Sequence, residues 1–174
     1  SSIEYVDEAK QGGQPWRPLP DTNTEVDRLQ RQMQTAQFDV QTFTGLAATE
    51  ESLKALGRDT VKSPDILHIA THGFFFPDPE KRKTQGFDDE NVFRWNQNPL
   101  FRSGLVLAGA DHVWTGGKPY EGLEDGICTA YEISHLNLSN TKLAVLSACE
   151  TGLGDIKGSE GVYGLQRAFK MAGV

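Results

Sequence analysis

Two apolar runs constrain the fold of this chain more than any other feature of its sequence. The first spans residues 66–73 (ILHIATHG) and the second spans residues 143–149 (LAVLSAC). Each run is apolar at most successive positions, so a strand formed from it is buried on both faces, as in the middle of a parallel sheet covered by helices. The two runs therefore predict an α/β fold with a mostly parallel central sheet.

Shorter patterns surround these two strands. Apolar residues at helical spacing follow four N-capping residues, Thr22, Thr49, Thr129 and Ser159. The first of these is followed by Glu25 and the third by Glu132, at the spacing of a capping box. Two further segments have the pattern of short strands, residues 38–43 and 105–108. Strands that alternate with helices indicate helices packed on a sheet.

The length of the chain, 174 residues, fits one domain. Residues 1–18 are polar and contain several glycines and prolines, so we interpret them as a linker or tail and assign residues 19–174 to the folded domain. The last helical pattern ends at the final residues, where an α/β unit requires a returning strand. We therefore expect this domain to be truncated and to lack its C-terminal strands.

Charge and composition disfavour several classes of protein. The chain has 17 Lys and Arg against 24 Asp and Glu, a formal net charge of −7, which opposes binding to nucleic acid. It has no run of about 18 apolar residues, the length that a membrane-spanning helix needs. Its two cysteines, Cys128 and Cys149, are too few for a disulfide scaffold and suit the reducing cytoplasm. We thus expect a cytoplasmic protein that binds neither membranes nor nucleic acid.

Reactive residues stand at the carboxyl ends of both predicted strands. His72 and Gly73 end the first run, and Cys149 ends the second. Ligands bind at this edge of parallel sheets, where neighbouring strands would bring the imidazole of His72 close to the thiol of Cys149. A histidine beside a cysteine lowers the thiol pKa and relays protons, which is the chemistry of a nucleophilic cysteine. The backbone N–H groups of Gly73 and Cys149 are then candidates for an oxyanion hole.

Other interpretations of these residues stay open. An apolar strand that ends in cysteine commonly belongs to a protein core, and Cys128 and His68 also fit core roles. No metal site is predicted, because His68 and His72 are about 13 Å apart along one strand, too far to share a zinc ion. The glycine-rich segment 152–159 suggests a nucleotide-binding α/β domain, although it lacks the residue order of a phosphate-binding loop.

Longer segments carry a resemblance to a known family. They are LPDTNTEVDRL, ILHIATHGFF, NPLFRSGLVLAGA, EDGICTAYEISHLNL and KLAVLSACETGLGDIKGSEGVYGLQRAFKMAGV, and they cover most of residues 19–174. With the ATHG and SACETG signatures in that order, the chain resembles the CHAT domain, a caspase-like cysteine peptidase family related to separases. The resemblance implies a caspase-hemoglobinase-like three-layer α/β/α sandwich and the hydrolysis of peptide bonds in proteins without a cofactor.

The resemblance also implies roles for single residues. Cys149 matches the nucleophile of the family, His72 its histidine and Gly73 its oxyanion-hole glycine. Ser147, two residues before the nucleophile, matches a residue that lines the substrate pocket in related peptidases. A loose alignment adds Asp21 to that pocket, where a carboxylate favours Lys or Arg in the substrate. The alternative is that Asp21 is a solvated residue ahead of the first helix.

Regulation is a further implication of the resemblance. Members of the family usually follow tetratricopeptide repeats in bacteria and act as effectors, so we expect a regulatory region or partner protein of that type. Residues 74–98 form a long segment without periodicity, and its basic run Lys81-Arg82-Lys83 is a candidate self-cleavage site. The competing hypotheses are a catalytically silent, caspase-like binding module and, for this segment, a solvated loop.

Overall fold

The computed structural model describes residues 15–76, 93, 96–149 and 160–174, without the side chains of residues 148, 149 and 160–162. In chain order, its helices and strands are α1 (Pro20–Thr35), α2 (Glu50–Lys54), β1 (Ile66–Phe75), β2 (Ser103–Val106), α3 (Ala110–Trp114), β3 (Ile127–Thr129), α4 (Ala130–Ile133), β4 (Leu143–Cys149) and α5 (Glu160–Met171). This mixture of strands and helices confirms the predicted α/β class. Among the described helices, none has both the length and the apolar character needed to cross a membrane.

The four strands form one mixed sheet in the order β3-β2-β1-β4. β1 and β4 are parallel neighbours, whereas β2 runs antiparallel to both β1 and β3. Three strands thus point in one direction and β2 opposes them, so the sheet is less parallel than the sequence predicts. The apolar run at residues 105–108 predicts a strand, which the structure places at Ser103–Val106, but such a run carries no information on strand direction. The reversal of β2 could therefore not be predicted.

The sheet separates two apolar clusters. On one side, buried side chains of β2, β3, α4 and α5 pack together, among them Leu105, Cys128, Ile133, Ala168 and Phe169. The second cluster contains Phe74, Phe76, Val106, Ala110, Trp114 and Ile127. Successive residues of a strand point to opposite faces, so neighbouring residues of β2 enter different clusters. Helices α4 and α5 therefore pack against one face of the sheet and α3 against the other.

The first helix starts earlier than its sequence pattern predicts. α1 begins at Pro20. Proline suits this position because the N–H groups of the first turn have no acceptor within the helix, so the missing N–H of proline costs no helical hydrogen bond. The Thr22 hydroxyl lies inside that turn and donates a hydrogen bond to the carbonyl of Leu19, which is the N-cap residue. The predicted capping role of Thr22 is therefore wrong.

Two further predicted helix caps are confirmed, and one predicted strand is wrong. Thr49 caps α2, and Thr129 forms the predicted capping box with Glu132 at the start of α4. Residues 38–43, however, form no strand. Most side chains of that segment are exposed, so an extended conformation would gain little from packing.

A buried charge cluster connects α2 to the region around β3 and α4. Glu50 is only 1% exposed, and one of its carboxylate oxygens accepts a hydrogen bond from the backbone N–H of Gly126 at 3.0 Å. The Lys54 ammonium, one helical turn further on, contacts the carboxylates of Glu50 (2.7 Å), Glu132 (2.9 Å) and Glu124 (3.0 Å). One cation thus serves three carboxylates, and the cluster depends on Lys54.

Burial in this cluster makes stability depend on pH. Desolvation raises the pKa of Glu50 from 4.5 to about 7, and this effect outweighs the opposing hydrogen bond from Lys54. Between these two pKa values the Glu50 carboxyl binds more protons in the folded state than in the unfolded state. The contribution of Glu50 to the free energy of unfolding therefore falls as the pH rises through this range. We expect Glu50→Gln to flatten that slope. Urea unfolding of the wild type and of Glu50→Gln, at pH values between and above the two pKa values, measures this slope. An identical pH dependence in both proteins would contradict the raised pKa of Glu50.

Candidate active site

The parallel pair of β1 and β4 brings His72 beside Cys149. The register runs from Ile66 opposite Leu143 to His72 opposite Cys149, where β4 ends. Neighbouring strands lie about 5 Å apart, so the backbones at positions 72 and 149 are adjacent. The expected approach of His72 and Cys149 depended on the two strands being parallel neighbours, and this condition is met.

β1 does not end at this point, in contrast to the sequence prediction. It continues past Gly73 to Phe75, because this part of the strand pairs with β2. At the transition, His72 has a register partner on each side, Cys149 in β4 and Val106 in β2. A residue between two strands has little backbone freedom, so the sheet fixes His72 in place.

The imidazole of His72 lies under the segment that precedes α1 and is only 7% exposed. Its Nε2 is 2.6 Å from the carbonyl oxygen of Arg17. A carbonyl only accepts hydrogen bonds, so Nε2 carries the proton and donates it. The indole of Trp16 packs against the imidazole, with 5.0 Å between the ring centroids. Trp16 and Arg17, from the stretch interpreted as a linker or tail, thus contact the candidate catalytic histidine.

A carboxylate from α1 bridges the same two strands. Glu25 Oε1 is 3.0 Å from His68 Nε2 on β1, and Glu25 Oε2 accepts a hydrogen bond from the Ser147 hydroxyl on β4 at 3.1 Å. His68 is therefore hydrogen-bonded, as the core interpretation predicts, but its side chain is 22% exposed and so only partly buried. Glu25 was not predicted as a site residue, because its spacing from Thr22 suggested a local capping role. Its position four residues before Leu29, on the half-buried stripe of α1, was the available signal.

The remaining candidate residues are less informative. Asp21 lies in the first turn of α1 and is exposed. Lys81, Arg82 and Lys83 lie outside the described residues, and so does the glycine-rich segment 152–159. The hypotheses of self-cleavage and of nucleotide binding therefore stay predictions.

Cys128 belongs to the buried charge cluster and not to this site. It is fully buried in β3, and desolvation raises the pKa of its thiol, which keeps the thiol protonated and unreactive. Its sulfur and the carboxylates of Glu50 and Glu132 offer ligand atoms within 4.8 Å of one another, enough in principle to surround a metal ion. The Lys54 ammonium already contacts both of these carboxylates, so the group is an ion-pair cluster.

Comparison with family models provides the classification. The model described as the CHAT domain matches residues 5–174. This chain belongs to the CHAT domain family. The family is caspase-like and related to cysteine peptidases. The chain matches no curated protein and no solved structure.

In this CHAT domain an imidazole, a group that can transfer protons, stands beside a cysteine on the neighbouring strand. A histidine fixed between two strands, beside a cysteine at the end of the next strand, provides the residue types of a nucleophilic pair. Glu25 adds a carboxylate near Ser147, two residues before that cysteine. The site thus combines an N–H donor on His72 with a carboxylate on α1.

Proposed function

We propose that this CHAT domain is a cysteine endopeptidase that cleaves protein substrates with Cys149 and His72. The observation that carries the proposal is the register of β1 and β4, in which these two residues are partners at the end of a parallel pair. Membership in a caspase-like family supports the same reaction. We also propose a three-layer α/β/α sandwich of the caspase-hemoglobinase type, which agrees with apolar clusters on both faces of the sheet.

The proposed reaction has an acylation step and a deacylation step. The Cys149 thiolate attacks the carbonyl carbon of the peptide bond, and the backbone N–H groups of Gly73 and Cys149 stabilise the oxyanion. His72 protonates the departing amine as the C–N bond breaks, which leaves a thioester on the enzyme. A water molecule that gives a proton to His72 then attacks the thioester, releases the carboxylic acid and restores the thiolate. The reaction needs no cofactor.

We place the substrate side chain that precedes the cleaved bond next to Ser147, two residues before Cys149 on β4. Asp21 is our sequence-based candidate for an acidic residue of this pocket. Glu25 is a second candidate, because its carboxylate is 3.1 Å from the Ser147 hydroxyl. A carboxylate from either residue favours Lys or Arg in the substrate through charge-assisted hydrogen bonds.

A regulatory partner completes the proposal. CHAT domains commonly occur with tetratricopeptide-repeat regions, so we propose a bacterial effector protease that such a region or a partner protein controls. The net charge of −7 and the two cysteines favour protein substrates in the cytoplasm over nucleic acid or membranes. The basic run at residues 81–83 is the proposed self-cleavage site.

Covalent labelling tests the proposed function. A peptidyl acyloxymethyl ketone with lysine or arginine beside its reactive group converts a nucleophilic thiol into a thioether. We expect mass spectrometry to find this adduct on Cys149 and not on Cys128, since Cys128 is fully buried and its pKa is raised. A folded protein without the adduct, whose Cys149 still reacts with iodoacetamide, is the result expected of a silent binding module.

A further inference from the structure

We propose that residues 15–19, the segment directly before α1, form an autoinhibitory strap over His72, a proposal that rests on the protease function above. Two contacts hold the strap against the imidazole: the hydrogen bond from Nε2–H to the Arg17 carbonyl and the packing of the Trp16 indole. The proton that His72 would give to a departing amine is thus directed at the chain's own backbone. The strap has to move before His72 can protonate a substrate.

The indole of Trp16 packs against two aromatic rings, which form a binding site that we call the seat. It packs against the rings of both His72 and Trp114, each with 5.0 Å between centroids. The backbone N–H of Trp16 donates to Oδ1 of Asp111 at 2.9 Å, which attaches the strap to α3. Trp114 itself is buried in the cluster around Phe74. The seat is therefore part of the core and directs the strap to one position.

Several features of the strap weaken its binding to the rest of the fold. Pro15, Arg17 and Pro18 are exposed, and the two prolines have no N–H with which to bind the fold. Within the part of the chain that the structure describes, the buried Nε1–H of Trp16 has no hydrogen-bond acceptor. Because an unsatisfied buried donor opposes docking, the indole binds its seat less tightly than its size allows. A partner protein that binds the strap can therefore displace it and expose His72.

Truncation of the indole tests this proposal. We expect Trp16→Ala to raise kcat/KM for cleavage of a peptide containing lysine or arginine by about tenfold or more, the effect of losing one packed aromatic anchor. The matched control is Tyr120→Ala. It removes an exposed aromatic ring that stacks on a different histidine, His112, at 4.6 Å, and should leave kcat/KM unchanged.

A second variant and a second measurement do not depend on the aromatic seat. Asp111→Ala removes the acceptor that anchors the backbone of Trp16, and we expect an increase in kcat/KM of roughly three- to tenfold. Nitrogen-15 NMR of the histidine side chains follows the Nε2 proton of His72 without any need for catalysis. We expect this proton to exchange slowly with water in the wild type and faster in both variants.

The possible outcomes separate the strap from the protease function. Equal cleavage rates in the wild type and both variants, with equal proton exchange at His72, would overturn the strap. A fall in rate with unchanged unfolding would also overturn it, because the segment would then position His72 for catalysis. Faster proton exchange in both variants, without cleavage or labelling of Cys149 in any protein, would support the covering of His72 and refute the protease.

Discussion

Replacement of Cys149 by alanine is expected to reduce peptide hydrolysis by about a thousandfold or more. Alanine has no atom that can attack the peptide carbonyl, so the thioester intermediate is lost and only binding and the oxyanion hole remain. Cys149 is the last residue of β4, and its register with His72 is formed by the backbone. We therefore expect an unchanged unfolding temperature, measured beside initial rates on a fluorogenic peptide.

Cys128→Ala is the matched control for this prediction. Cys128 is fully buried in the cluster with Leu105 and Ile133, so its truncation should lower the free energy of unfolding by about 1 kcal/mol and leave the activity of the folded protein unchanged. Wild-type activity in Cys149→Ala would refute the proposed mechanism. Equal losses of peptide hydrolysis in both variants would show that the loss comes from impaired folding and not from removal of the nucleophile.

The centre of the candidate site could be predicted because its signal is local. Residues 66–73 and 143–149 are apolar enough to identify two buried strands, and the carboxyl ends of neighbouring parallel strands meet at one edge of a sheet. The sequence alone could therefore put His72 and Cys149 at the same edge of the sheet, and close together on condition that the two strands are neighbours. The extension of β1 past Gly73 escaped prediction because it depends on β2, whose direction no local pattern encodes.

The surroundings of His72 depend on contacts between distant parts of the chain. The Arg17 carbonyl meets His72 across 55 residues, and Glu25 meets Ser147 across 122 residues. By composition, the segment around Trp16 resembles a linker, because prolines and exposed polar residues are typical of linkers. Its indole becomes a structural element only when the folded sheet and α3 provide a seat. The same limit applies to the charge cluster of α2, whose members converge from separate elements.

Lys54→Met is expected to lower the free energy of unfolding by about 2–3 kcal/mol, toward the lower end for a broken buried ion pair because 15% of the lysine side chain is exposed. Methionine retains the apolar stem of lysine but removes the ammonium. The carboxylates of Glu50, Glu132 and Glu124 then lie close together without a cation. Since Glu50 is almost fully buried, water cannot replace the lost interaction.

A comparison of Lys54→Met with Lys142→Met by urea unfolding shows whether the burial of an ion pair or the distance between its charged atoms determines the loss of stability. Lys142 contacts Asp65 at 2.6 Å, as short as the contacts of Lys54, but 79% and 60% of the two side chains are exposed. Water screens such a pair, so Lys142→Met should unfold at the urea concentration of the wild type. Adding Glu50→Gln to Lys54→Met should restore part of the lost stability, because an amide needs no counter-charge. Equal destabilisation by the two lysine substitutions, or no recovery in the double variant, would show that the buried carboxylate of Glu50 does not determine the role of Lys54.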